Sequence, residues 1–361
     1  MSGAPLILQA FRDPGRMDRF SLTDWTLLLR QAAIANLTAC LYYLAEEHGM
    51  LERIPAEARE HLAWSRALGE RHAQAVRFEI REIGRALAAT GVPLVFLKGA
   101  AYALAQLPPA HGRLFSDIDI LVPQERLGEV EAALMLHGWA GNHLDEYDQR
   151  YYREWMHEIP PMQHVRRQSL IDVHHAILPR TAAAHPDPAK LRAAATPVGG
   201  AAVFAPEDMV LHSAVHLFYD GELDHGLRDL LDIHRLLLRF GAEPGFWERL
   251  PRRAAELELG RPLFYALRYA QELLLTPVPD AAVDAARAAG APNPLLLALM
   301  DQLFRRALLP THASCGDWFT GGARFLLYIR ANWLRMPPLL LARHLFHKAF
   351  ITPRTATKAQ G

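Results

Sequence analysis

Two aspartates alternate with isoleucines in the run Ser116-Asp117-Ile118-Asp119-Ile120-Leu121-Val122, and this run limits the possible fold more than any other. In a strand, side chains two positions apart share a face. Ile118 and Ile120 therefore enter a core while Asp117 and Asp119 emerge together on the other side. Two carboxylates that close stay ionised only beside a compensating cation. A hard divalent ion with oxygen ligands, Mg2+ or Mn2+, is the natural partner. A solvated strand edge is the bland alternative.

The surroundings favour the cation. Lys98-Gly99 follows the apolar run 92–97 and precedes an alanine-rich helical segment, a turn that offers backbone N–H groups and an ammonium to a phosphate. Arg113 and Ser116 stand just before the acids, where they can touch a phosphate or fix a carboxylate. Asp172, in Ser169-Leu170-Ile171-Asp172-Val173-His174, is another strand-borne acid and shares a face with His174. Three acids beside such a turn suit metal-assisted phosphoryl transfer.

The remaining chain frames this unit. Residues 21–90 read as amphipathic helices: Ser21 and Asp24 resemble a capping pair, and one helix runs from there to a stop at Gly49. From 91 to 180 the pattern becomes strand (92–97), helix, strand (117–122), helix (124–138) and a strand pair turning near Arg166-Arg167-Gln168. That order describes a small α+β core. Residues 181–205, rich in proline, alanine and glycine, read as a linker. Helical periodicity resumes over 206–350, and 351–361 reads as a disordered tail. The expected fold class is thus α+β, a small mixed sheet flanked by N- and C-terminal helical regions.

Thirty-nine basic residues balance thirty-nine acidic ones, so no overall positive field favours a long nucleic acid. The two cysteines, Cys40 and Cys315, are too few for a disulfide framework and suggest reduced thiols in a cytoplasmic protein. No window reaches the roughly 20 apolar residues of a membrane span. The segment Arg324–Phe350 could instead close a core, lie on a membrane surface or dock on a partner, and core packing is the expectation.

With Lys98-Gly99, Arg113, Asp117-Ile118-Asp119-Ile120-Leu121-Val122 and Ile171-Asp172-Val173-His174 in view, the chain resembles the DNA polymerase beta-type nucleotidyltransferase superfamily. Within it, the resemblance is to a bacterial branch of uncharacterised nucleotidyltransferases, and it covers about residues 90–180. The resemblance implies that Asp117 and Asp119 hold divalent ions and that Asp172 completes the metal site or deprotonates an acceptor hydroxyl. Lys98, Gly99, Arg113 and Ser116 would contact the nucleotide, with ATP the expected one. Ala100 stands where many members carry serine, which leaves the triphosphate contact to Lys98 or Arg113. The implied reaction moves a nucleoside monophosphate from a triphosphate to a hydroxyl-type acceptor and releases pyrophosphate. The acceptor itself is not named by the sequence.

Two other readings compete. His174-His175 with Asp229, Asp232 and His234 suggests an HD-type metal phosphohydrolase, although no adjacent His-Asp pair lies on a helix. A silent nucleotide-binding or interaction module would have no physical reason to keep three mutually repelling acids. His212 and His216, one helical turn apart, lack the glutamate of a zinc-protease motif. They are expected to line the groove between the helical region and the core, or to pack inside it.

Overall fold

A computed structural model describes residues 4–141, 152–153, 155–219 and 221–337. Within them lies a seven-stranded mixed sheet built from β1 (Val95–Phe96), β2 (Ile118–Leu121), β3 (Trp139–Gly141), β4 (Met162–His164), β5 (Leu170–His174), β6 (Thr196–Val198) and β7 (Ala201–Val203). The spatial order is β3-β4-β5-β2-β1-β7-β6. Helices flank it on both sides in sequence, so the α+β expectation holds.

The sheet reaches beyond the expected core. Residues 196–203, read as part of a linker, form the β6–β7 hairpin, and β7 pairs in parallel with β1 through Val95↔Ala202 and Phe96↔Val203. Gly199 and Gly200 turn the hairpin at φ values of 58° and 84°, a region glycine enters without steric cost. The N-terminal helix also differs from its expected extent. It breaks into Leu22–Ile34 and Thr38–Glu47 because Asn36 adopts φ 55°, a conformation asparagine tolerates better than most residues. The capping pair is as read: the Asp24 amide donates to Ser21 Oγ and the Ser21 amide to Asp24 Oδ2.

The helices that frame the cleft are α1 (Ala56–Leu87), α2 (Lys98–Leu104), α3 (Pro206–Tyr219), α4 (Gly226–Phe240) and α5 (Thr320–Arg335). α1 presents Leu62, Val76, Ile80, Ile83 and Leu87 as a buried stripe at the three-to-four spacing of one helix face. The C-terminal helices close around Phe218, Tyr265, Tyr269 and Phe304, whose ring centroids lie 5.2–6.0 Å apart. Burying each such ring contributes about 2–3 kcal/mol. Cys40 and Cys315 are free and buried. No helix among the described residues is long and apolar enough to cross a membrane. Of Arg324–Phe350, residues 338–350 lie outside the described residues, as does the tail 351–361; in the described part Leu327 and Ala331 are buried while Phe325, Tyr328 and Trp333 are exposed.

Candidate functional site

β1 and β2 run antiparallel, and the Leu97 amide donates to the Asp119 carbonyl at 3.0 Å. The next residue, Lys98, holds φ at 42°. That left-handed conformation costs a non-glycine residue about 1–2 kcal/mol and starts α2 directly above β2. On the other flank, parallel pairing of β2 with β5 sets Asp119 beside Asp172 and Leu121 beside His174. Asp119 and Asp172 therefore emerge on one face, into a cleft of about 550 Å³. All the residues singled out from the sequence line it: Lys98, Gly99, Arg113, Ser116, Asp117, Asp119 and Asp172.

Asp119 is buried and doubly engaged. Its Oδ1 accepts from Lys98 Nζ at 3.2 Å and from His174 Nε2 at 2.9 Å. Burial alone would raise its pKa, but the Lys98 ammonium and the His174 ring outweigh it and hold the carboxyl well below the usual range. Asp172 is the opposite case. Burial, then the charges of Asp119 and Glu158, push its pKa up to about 7. Its Oδ1 is buried with no hydrogen-bond partner among the described residues. Ser116 Oγ donates to Asp117 Oδ1 at 2.9 Å at the half-exposed rim.

Arg113 is turned away from the acids of the sheet. It pairs with Asp232 and, at 3.5 Å, with Asp229 on α4, and its guanidinium lies 5.7 Å from the Phe115 ring centroid. The loop that delivers Asp117 is thus tied to the helical wall. Gly99 is placed by packing: a Cβ there would lie 2.0 Å from Phe115 Cδ1. That ring is itself stacked on His72, which accepts from the Phe115 amide at 2.8 Å. Gly99→Ala is expected to cost about 1–3 kcal/mol of stability, the usual cost of overpacking. Adding Phe115→Ala should recover part of it, and urea midpoints of the single and double variants would read the coupling.

The other wall comes from α3 and α4, which contribute His212, His216, Tyr219, Arg228 and Asp229. His212 is buried and edge-on to Phe204 at 5.5 Å; burial and then the Lys98 charge hold its pKa well below the ordinary imidazole value. The residues of the phosphohydrolase reading do not converge. Asp229 and Asp232 face Arg113, and His234 Nδ1 lies 2.7 Å from Thr276 Oγ1.

His157 and Glu158 escaped the sequence reading. The Glu158 carboxylate lies 3.2 Å from His174 Nδ1, so His174 sits between two carboxylates. A Pro-Pro step in an otherwise alternating stretch was the available signal. Residues 158–164 run antiparallel along β5, pairing Glu158 with His174 and Met162 with Ile171. The register slips by one residue across Pro160-Pro161, because proline offers no N–H to the ladder. Among the described residues, His157, Glu158 and His174 are the His, Cys, Asp or Glu group whose ligand atoms all fall within 4.8 Å of one another. The three aspartates share the cleft without closing to that spacing, as mutually repelling carboxylates with Lys98 on one of them would do.

Compared with protein-family models, residues 21–275 match one described as an uncharacterised nucleotidyltransferase. A comparison with curated proteins finds no match.

Proposed function

The chain belongs to this uncharacterised nucleotidyltransferase family, and from that premise we propose a metal-dependent transfer of a nucleoside monophosphate from a triphosphate, ATP the expected one, to a hydroxyl-type acceptor. The observation that carries the reading is the register pairing of Asp119 with Asp172 on adjacent parallel strands, facing a cleft that also holds Lys98 and Asp117. It is the arrangement expected of the polymerase beta-type branch.

The donor set fits a hard divalent ion. Asp172 carries an unpartnered buried oxygen, and its raised pKa marks a place short of positive charge. Asp117, Asp119 and Asp172 would hold Mg2+ or Mn2+, which when bound supplies charge neutralisation for the triphosphate and polarises it toward attack.

The chain's own groups have distinct tasks. Asp119 stays ionised because Lys98 and His174 stabilise its charge. Lys98 can release Asp119 to a cation and turn its ammonium to a phosphate oxygen. Asp172 can take the proton of the acceptor hydroxyl as the new P–O bond forms and pyrophosphate departs. Ser116 and the backbone at Gly99 border the same space. His216, Tyr219 and Arg228 on the helical wall face the acceptor.

Calorimetric titration with each of the four ribonucleoside triphosphates, with and without MgCl2, tests the reading. Binding of at least one nucleotide that strengthens tenfold or more with Mg2+ is the expected result; no binding of any of them would overturn it.

A further inference from the structure

We propose that His157, Glu158 and His174 form a separate cation site for a transition-metal ion, beside the carboxylates and distinct from them in ligand chemistry. One ligand atom from each of the three lies within 4.8 Å of the others. The 3.2 Å between His174 Nδ1 and Glu158 Oε2 matches the roughly 3–3.5 Å that separates two ligands sharing an ion at bonds of about 2.0–2.2 Å. The buried Nδ1 of His157 has no hydrogen-bond partner among the described residues, and its ring lies 5.2 Å from that of His174.

The backbone holds these groups in place. The His175 amide donates to the His157 carbonyl at 2.8 Å and the Ile159 amide to the Val173 carbonyl at 3.0 Å. Both sides of the pocket are therefore parts of one strand ladder. The one-residue slip at Pro160-Pro161 is what brings Glu158 opposite His174.

Two imidazoles and one carboxylate select borderline ions such as Co2+, Ni2+ or Zn2+ over Mg2+, which prefers oxygen. The second ring nitrogen of His174 already has the partner that a metal-bound histidine needs. Nε2 lies 2.9 Å from Asp119 Oδ1, so the tautomer with its proton on Nε2 donates to Asp119 and leaves Nδ1 free to ligate. A carboxylate, a histidine and a metal in sequence is the usual way such a ring is oriented. An ion here would also fix the Asp119 carboxylate through His174. That effect on transfer rests on the function proposed above; the ion site does not. Lys98 and Arg335 share the cleft and oppose cation binding, so affinity is moderate.

The test is titration of the metal-free full-length protein with Co2+, followed by visible absorption and calorimetry. Wild type should bind one Co2+ with a ligand-field band that shows nitrogen ligation. His157→Ala and Glu158→Gln should each weaken the binding that gives this band at least about tenfold, while Asp117→Ala, which removes a carboxylate of the neighbouring site, leaves the nitrogen-ligated band unchanged. Melting curves of the metal-free variants establish that each is folded, and Glu158→Gln preserves shape should His157→Ala fail to fold. The proposal is overturned if wild type shows no such band, if His157→Ala and Glu158→Gln keep the band as wild type does, or if Asp117→Ala abolishes it. Nucleotide titration is read separately, so loss of the transfer reading would leave this outcome intact.

Discussion

Asp117→Asn is expected to lower nucleotidyl transfer by at least about a thousandfold while leaving the unfolding free energy within about 0.5 kcal/mol of wild type. A thousandfold is about 4 kcal/mol of transition-state stabilisation, the scale expected when a cation that offsets charge on a reacting phosphate loses a ligand. The stability half of the expectation follows from exposure. Asp117 is half-exposed and accepts a hydrogen bond from the neighbouring Ser116 hydroxyl, so its carboxylate is easily exchanged for an amide. Asp119→Asn should lose as much activity but is the less clean variant. It strips the negative charge from between Lys98 and His174, and breaking a buried pair from one side costs about 3–5 kcal/mol. Comparing kcat/KM with urea midpoints separates the two effects. Retention of activity within tenfold in Asp117→Asn would remove that residue from the reaction.

The second large effect concerns Asp172 and pH. Its folded pKa of about 7 stands above the ordinary aspartate value of 3.8, so between these limits the folded chain holds a proton that the unfolded chain has released. Stability must then fall as pH rises from about 4 to 7 and stay lowered above that. Three pKa units correspond to an upper bound on the order of 4 kcal/mol, and local relaxation should leave about 1–3. Asp172→Asn abolishes the titration. The metal-free variant should match wild type at or below about pH 4 and exceed it by about 1–3 kcal/mol at pH 8, read as the difference between denaturation curves across pH. Adding MgCl2 at pH 8 should narrow the gap, because a bound cation stabilises the ionised carboxylate. A difference that is flat in pH would refute the shift and its cause.

These expectations rest on features of unequal visibility in the sequence. The face shared by Asp117 and Asp119 follows from strand alternation, a local property, and so does the helix start at Ser21. That Asp119 lies beside Asp172 depends on the parallel register of β2 and β5, which no local pattern encodes. The pairing of Arg113 with Asp229 and Asp232 joins a loop to a helix far along the chain. From the sequence, Arg113 read as a phosphate contact for the same reason it now pairs: it is a cation near acids. The β6–β7 hairpin read as a connector because its strands are three residues long and rich in proline, alanine and glycine. Such segments have little strand preference of their own and become strands through β1, a tertiary pairing. Glu158 was hidden because the slip at Pro160-Pro161 moves it one place from where simple alternation would put it.

The same hairpin bears on how the catalytic unit can be dissected. β1 has two residues and lies between β2 and β7. An excised piece ending at residue 180 would leave that strand with a bare flank, and the turn carrying Lys98 would lose its support from behind. The smallest autonomous fragment must therefore run past Val203.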